Sequence, residues 1–208
     1  MKSRIIITIL LSILTLSTNA KGKNQEEAKE MFEKVFDLVF GSKGSRLDYA
    51  VNIIGIYKTE GSIHYKDKKI KYIEKRYCSW NDGVTAYMVD KKKKQVDIFS
   101  ANDENKDEML AKFKYDVNNY DFSYTISGDY YLLTAKVKKS SMMGIKEITA
   151  KIKKANYYPT SLKIKVAFFS TTVKISNFSA GGISDDVFKF PKKQFADYNF
   201  IDHRGEEK

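Results

Sequence analysis

The segment Ile145-Lys146-Glu147-Ile148-Thr149-Ala150-Lys151-Ile152-Lys153 sets Ile148, Ala150 and Ile152 against Thr149, Lys151 and Lys153. Successive side chains of a strand point to opposite faces, so this two-residue period specifies a strand with one dry and one wet face. The period recurs on both sides of it. Tyr131, Leu133, Ala135 and Val137 alternate with Leu132, Thr134, Lys136 and Lys138. Leu162, Ile164, Val166 and Phe168 alternate with Ser161, Lys163, Lys165 and Ala167, and Val173 and Ile175 with Thr172, Lys174 and Ser176. Four neighbouring strands therefore share one apolar face and one lysine face. What covers the apolar face decides what the protein does.

Working outward, strands are predicted at 48–58, 62–66, 69–79, 84–89, 95–99, 120–126 and 129–138, and past the opening segment at 160–168 and 171–178. Phe188 and Phe190 flank Lys189, which predicts another half-buried antiparallel strand over 187–190, before a closing extended segment at Asn199-Phe200-Ile201-Asp202. Asp82-Gly83 between alternating runs is a hairpin signal, and Asp90 to Lys94 and Ser127-Gly128-Asp129 supply further short turns. The short connections predict an antiparallel meander.

Two segments have a helical period. In 24–40, Ala28, Met31, Phe32, Val35, Phe36 and Val39 recur at three- and four-residue steps opposite Glu26, Lys29, Glu30, Glu33, Lys34 and Asp37. Asn24 and Glu27 have the spacing of a capping box, and Gly41-Ser42-Lys43-Gly44-Ser45 ends the helix. A shorter helix is expected over 103–114, with Met109, Leu110 and Phe113 on one face. Two helices are too few to cover every strand on both sides, but they suffice for one concave side. The expected fold is α+β and mainly antiparallel β: an incomplete half-barrel with the N-terminal amphipathic helix and the short helix as a lid on the concave face.

Residues 1–20 carry Lys2 and Arg4, an apolar run from Ile5 to Leu16, and Ser17-Thr18-Asn19-Ala20. That order reads as an export signal cleaved after about Ala20, which leaves residues 21–208 as one domain with a periplasmic destination. No cysteine follows the cleavage region to carry a lipid anchor. Cys78 is the single cysteine, so no intramolecular disulfide can form, and it is expected as a small packed side chain.

The formal charge is +11 over 208 residues, with Lys2 and Arg4 contributing two of it. The excess lies on the wet side of strands without the interleaved aromatics of a base-stacking platform, so no nucleic-acid partner is expected. Weak attraction to an anionic membrane surface competes with the plainer reading of a solvated face. His64 and His203 are the only histidines, and neither has the spacing of a metal site or a nucleophile elbow. His203, within Asp202-His203-Arg204, reads as part of an exposed charged tail, and Asp185-Asp186 as loop charge. No enzyme, metal or cofactor is expected. A membrane-spanning barrel is a weaker reading, because amphipathic helices interrupt the strand series.

The dry positions are rich in aromatic and methionine side chains. Met31, Phe32, Val35, Phe36, Trp80, Tyr87, Met88, Met109, Phe113, Phe122, Tyr124, Tyr131 and Leu133 are the candidate wall of an apolar cavity on the concave side. Acyl chains suit such a wall, since burial returns about 0.8 kcal/mol per methylene and needs no hydrogen-bond partner. Simple core packing of the same residues is the alternative.

Three stretches also carry a resemblance to a known family. Trp80-Asn81-Asp82-Gly83-Val84-Thr85-Ala86-Tyr87-Met88-Val89-Asp90 with Gln95-Val96-Asp97-Ile98 is one. Ser127-Gly128-Asp129-Tyr130-Tyr131-Leu132-Leu133-Thr134 followed by Tyr158-Pro159-Thr160-Ser161-Leu162 is the second. The third joins Val173-Lys174-Ile175-Ser176-Asn177-Phe178, Phe188-Lys189-Phe190 and Phe200-Ile201-Asp202-His203-Arg204. In that order they resemble the periplasmic outer-membrane lipoprotein carriers of the LolA type, and most of all the Bacteroidetes versions.

The resemblance implies a half-barrel with a helical lid, whose cavity takes lipoprotein acyl chains from an inner-membrane transporter to an outer-membrane receptor. A monomer in transient proximity to membranes is expected. An exported scaffold of the same fold, binding another lipid or a protein partner without catalysis, is the alternative. Where many family members carry an Arg-Pro pair that closes the lid, this chain has Tyr65-Lys66-Asp67-Lys68-Lys69-Ile70, so no lid-locking arginine is assigned; Arg76 lies a strand further on.

Overall fold

The strands predicted by two-residue alternation join into one twelve-stranded sheet in a computed structural model that describes residues 24–53, 57–101, 117–139, 145–167 and 169–205. In chain order they are β1 (Ser45–Ile53), β2 (Tyr57–Lys66), β3 (Lys69–Glu74), β4 (Tyr77–Asn81), β5 (Thr85–Asp90), β6 (Gln95–Ser100), β7 (Tyr120–Ser127), β8 (Tyr130–Val137), β9 (Ile145–Lys153), β10 (Pro159–Val166), β11 (Phe169–Ala180) and β12 (Asn199–Asp202). The spatial order is β12-β6-β5-β4-β3-β2-β1-β11-β10-β9-β8-β7. The sheet does not close: β12 and β7 are its edges. It is the incomplete half-barrel expected, with helix α1 over 24–40 at the N-terminal end of the described residues. The expected signal at 1–20 and the lid helix at 103–114, with Met109 and Phe113, lie outside those residues.

Several expectations are corrected. The run 48–58 is not one strand: β1 ends at Ile53, and β2 begins at Tyr57, directly paired with it. Gly61, which falls between the two predicted strands, sits inside β2, where a Cβ would come within 2.5 Å of the Ile73 carbonyl and 3.1 Å of the Tyr49 hydroxyl. Close backbone approach, not chain reversal, is what the glycine serves there. The run 69–79 divides into β3 and β4 through Lys75-Arg76, a turn without Gly or Pro to announce it. The stretch 187–190 is no strand, because Asp185–Phe188 is a 3-10 turn capped by the Ser184 hydroxyl, which accepts from the Asp186 N–H at 3.3 Å. Finally, β12 departs from the antiparallel pattern and runs parallel to β6, Asn199 pairing with Gln95 and Asp202 with Ile98.

The two ends of the helix are fastened differently. Its last turn is closed by Gly41, whose N–H donates to the Asp37 carbonyl at 2.9 Å, and by the buried Ser45 hydroxyl, which donates to the Val39 carbonyl at 2.6 Å. These satisfy carbonyls that a helix terminus otherwise leaves open. At the other end Asn24, the expected cap, commits its amide to the sheet. It bonds both backbone groups of Tyr124, donating to the carbonyl and accepting from the N–H at 3.3 Å each, while the Tyr124 hydroxyl donates to Glu27 at 2.8 Å. Because β7 is an edge strand, this contact blunts the edge and ties the helix to the sheet.

The Asp-Gly hairpin signal behaves as expected. Gly83 has φ +92°, and the Asp82 carboxylate accepts from the N–H groups of Val84 and Thr85 at 2.9 and 2.8 Å, closing the turn between β4 and β5.

Candidate functional site

Strand register carries the apolar face across the sheet. Ala150 pairs with Leu162, Leu162 with Val173, Val173 with Val51, and Tyr49 with Gly61. A register shift between Lys165 and Val166 brings Ile145 opposite Val166, so the face continues to the end of β9. Helix α1 lies on this side. Beneath it Ala28, Phe122, Leu133, Ala135, Ala150 and Ile152 form a buried cluster, with Met31, Phe32, Val35, Tyr120, Tyr124, Tyr131, Tyr157 and Leu162 packed against it. The Phe32 ring sits 5.1 Å from that of Phe122 and 6.4 Å from that of Phe36. Farther along the helix, Val39 and Phe40 meet Tyr65, Ile70, Ile63 and Phe178, with the Phe36 ring 4.7 Å from that of Phe40.

Burial on this face is graded. On β8 and β9, Leu133, Ala135, Ile148, Ala150 and Ile152 are buried; on β10, β11 and β1, Leu162, Ile164, Val173, Ile175, Tyr49 and Val51 are only half-buried. The result is an apolar strip beside the helix.

The structure thus brings together Met31, Phe32, Val35, Phe36, Phe122, Tyr124, Tyr131 and Leu133 from the expected wall. It separates Trp80 and Tyr87 from them. Trp80 pairs with Lys71 and Tyr87, and Lys71 with His64, which places these residues on the lysine side of the sheet. There Cys78, Trp80, Val89 and Val96 are buried with Phe195, and Ile73, Tyr87, Ile98, Phe190, Tyr198 and Phe200 pack around them. The Phe190 ring stacks on Tyr87 at 4.3 Å and meets Trp80 edge-on at 5.5 Å. Phe190 does so from the segment after the 3-10 turn, which is why its spacing from Phe188 imitates a strand. Met88 keeps to the helix side, bordering a cleft of about 200 Å³ with Tyr72, Tyr77 and Asp97.

A larger cleft of about 590 Å³ opens at the rim where β2 and β4 begin and β3 and β5 end. Lys58, Thr59, Glu74, Lys75, Arg76, Tyr77, Lys91 and Lys92 line it. Arg76 forms a bidentate pair with Asp90 at 2.7 and 3.2 Å, and its hydrogen bonds hold the Asp90 carboxyl pKa at about 2. Glu74 accepts from the Tyr49 hydroxyl, and the Lys91 ammonium donates to the Glu74 carbonyl at 2.8 Å.

The histidines occupy separate places. His203 is no free tail: its Nε2 lies 2.8 Å from Asp97, its ring stacks on Phe99 at 4.7 Å, and its N–H donates to the Ile98 carbonyl. His64 has a buried Nδ1 without a hydrogen-bond partner among the described residues, and burial, then Lys71 and Arg46, push its pKa below the usual histidine value. Asp185 bridges Lys66 and Lys69, each at 2.8 Å, and their hydrogen bonds hold its pKa at about 2. Cys78 is buried, and burial pushes its thiol pKa up. Among the described residues no group of three or more His, Cys, Asp or Glu could hold a metal ion, and no helix is long and apolar enough to cross a membrane.

No protein-family model and no curated protein sequence matches the chain. Solved structures do. An uncharacterised conserved protein from Thermus thermophilus aligns with a TM-score of 0.56 at 11% identity, covering 85% of this chain and 99% of that one. A LolA superfamily protein from Nitrosomonas europaea aligns more loosely, with a TM-score of 0.41 at 10% identity over 78% of this chain and 97% of its own. The same holds for a Vibrio parahaemolyticus domain described as outer-membrane lipoprotein-sorting, with a TM-score of 0.42 at 11% identity over 83% and 99%. At such identities the likeness is one of fold.

Proposed function

We propose that this protein is a non-catalytic carrier that holds lipoprotein acyl chains against the apolar strip of its half-barrel and moves them between membranes. One observation carries the reading: on the apolar face Leu133, Ala135, Ala150 and Ile152 are buried beneath α1, while Leu162, Ile164, Val173 and Ile175, with Tyr49 and Val51, stay half-buried beside it. A half-buried strip of Leu162, Ile164, Val173 and Ile175 offers an extended chain many methylene contacts and few polar groups. Trp80 and Tyr87 are no part of this wall, since their rings are occupied by Phe190 and Phe195 on the other side.

The test is mass spectrometry of the native protein isolated from its own periplasm, beside a Val173→Asp variant. Wild type is expected to carry acylated species, and the variant to lose them with its far-UV circular dichroism unchanged. Wild-type protein free of acyl species, under conditions that preserve bound lipid, defeats the proposal.

A further inference from the structure

The geometry points to the β2–β5 rim as a docking edge for an anionic phospholipid surface, a role separate from holding acyl cargo. Strand register places several features on one rim. Asn52 pairs with Lys58, Ile53 with Tyr57, and Val51 with Val173, so the start of β11 and the start of β2 lie at the same end of the sheet. Phe169 opens β11 at that end and is 50% exposed, and Tyr77 in the neighbouring cleft is 37% exposed. Phe169 pairs with Val166 just after a tight reversal in which Ala167 has φ +47°, so the ring lies at the rim end of the apolar face.

The neighbouring 590 Å³ cleft is cationic. Of its lining charges, Arg76 is matched by Asp90, and Glu74 is engaged by Tyr49. Lys58, Lys75 and Lys92 have no ion pair among the described residues and leave a net positive charge at the rim. A cluster of unmatched ammonium groups at the same end of the sheet as an exposed aromatic ring fits a surface that is anionic and apolar in depth. Lipid phosphates answer the lysines, and the ring enters between headgroups. A soluble phosphate ion would satisfy the lysines alone and leave the ring in water. Charge complementarity together with Phe169 therefore favours the bilayer.

Vesicle flotation of the full protein tests this, using phosphatidylcholine vesicles and phosphatidylcholine mixed with phosphatidylglycerol, at low and physiological salt. Binding to the mixed vesicles is expected to exceed binding to neutral ones by about 100-fold at low salt and to weaken with salt. A Lys58→Gln/Lys75→Gln/Lys92→Gln variant should lose about 100-fold, since each lysine near an anionic surface accounts for roughly a factor of five. Phe169→Ser should lose about tenfold. A control with the same charge change on the lysine face, Lys151→Gln/Lys163→Gln/Lys174→Gln, should bind as wild type. Equal loss in the control would overturn the site, leaving only net charge, and equal binding to both vesicle types would overturn it outright. Displacement by millimolar inorganic phosphate at constant ionic strength would reassign the cleft to a soluble oxyanion. Val173→Asp, which tests cargo, is expected to float as wild type, so the two proposals fail separately.

Discussion

The sheet is covered twice, on opposite faces, and the two covers are built differently. Helix α1 lies over β7, β8 and β9 largely on small and aliphatic side chains, Ala28 sharing a buried cluster with Ala135, Ala150, Leu133 and Ile152. The segment 190–198 lies over β4, β5 and β6 on the lysine side, and there the contact is a stack of rings: Trp80, Tyr87, Phe190, Phe195, Tyr198 and Phe200. Rings meeting edge-on and offset at 4.3 to 6.2 Å fix position and angle together. Under the helix the floor is small and aliphatic, with ring contacts beside it, Phe32 5.1 Å from Phe122 and Phe40 4.8 Å from Tyr65. The C-terminal cover is a staple, whereas the helix is the cover beside which an apolar strip stays half-buried.

The sharpest way to break the contrast is Phe195→Ala. Removing a ring that joins Trp80, Phe190 and Tyr198 should cost about 3–5 kcal/mol in urea unfolding, and acyl retention by the folded fraction should be unchanged. If cargo is lost while the variant stays folded without denaturant, the staple is part of the site and the division fails. Next is Gly44→Ala, at the crossing where the C-terminal segment leaves the sheet. Gly44 has φ +75°, a Cβ there would lie 2.7 Å from the Ile183 Cβ, and its carbonyl accepts from the Gly181 N–H at 2.6 Å. A loss of about 1–3 kcal/mol is expected, measured as a lower midpoint.

Ala28→Leu tests the helix side. Overpacking a position with no exposure should cost about 1–3 kcal/mol, and, unlike Phe195→Ala, it should lower acyl retention by lifting α1 from its floor. Unchanged retention would uncouple the helix from cargo. The smallest effect concerns His64, on the lysine side. Its folded pKa lies below its unfolded value near 6.5, so the unfolded chain binds the proton more tightly. Stability should be full above that value and fall as pH drops below it. His64→Gln should flatten this part of the stability profile between about pH 7 and 5, read by thermal unfolding across that range.

How far the fold was legible varies by element. Strand β9 was readable to the residue, because Ile148, Ala150 and Ile152 are all buried and their neighbours are not. The division of 69–79 was hidden, since Lys75-Arg76 carries no turn residue and the reversal is held by pairing with neighbouring strands. Phe188 and Phe190 misled for a related reason. A 3-10 turn can bury Phe188 and a following extended link can place Phe190, which reproduces the spacing of a strand without its ladder. The packing under the helix was legible at Met31, Phe32 and Val35, which meet the buried cluster as their spacing predicts. The placement of Trp80 and Tyr87 was not legible, since their pattern told that each is a dry position but not on which face.

Composition and period by themselves determined that the chain makes strands with one dry and one lysine side, an amphipathic helix ahead of them, and no disulfide. Those are local properties, set by where each side chain points along a strand or helix. Tertiary structure alone decided which cover lies on which face. A two-residue period is symmetric under reversal of the faces, and only the register across neighbouring strands, from Val51 through Gly61 to Lys71 and Trp80, breaks that symmetry.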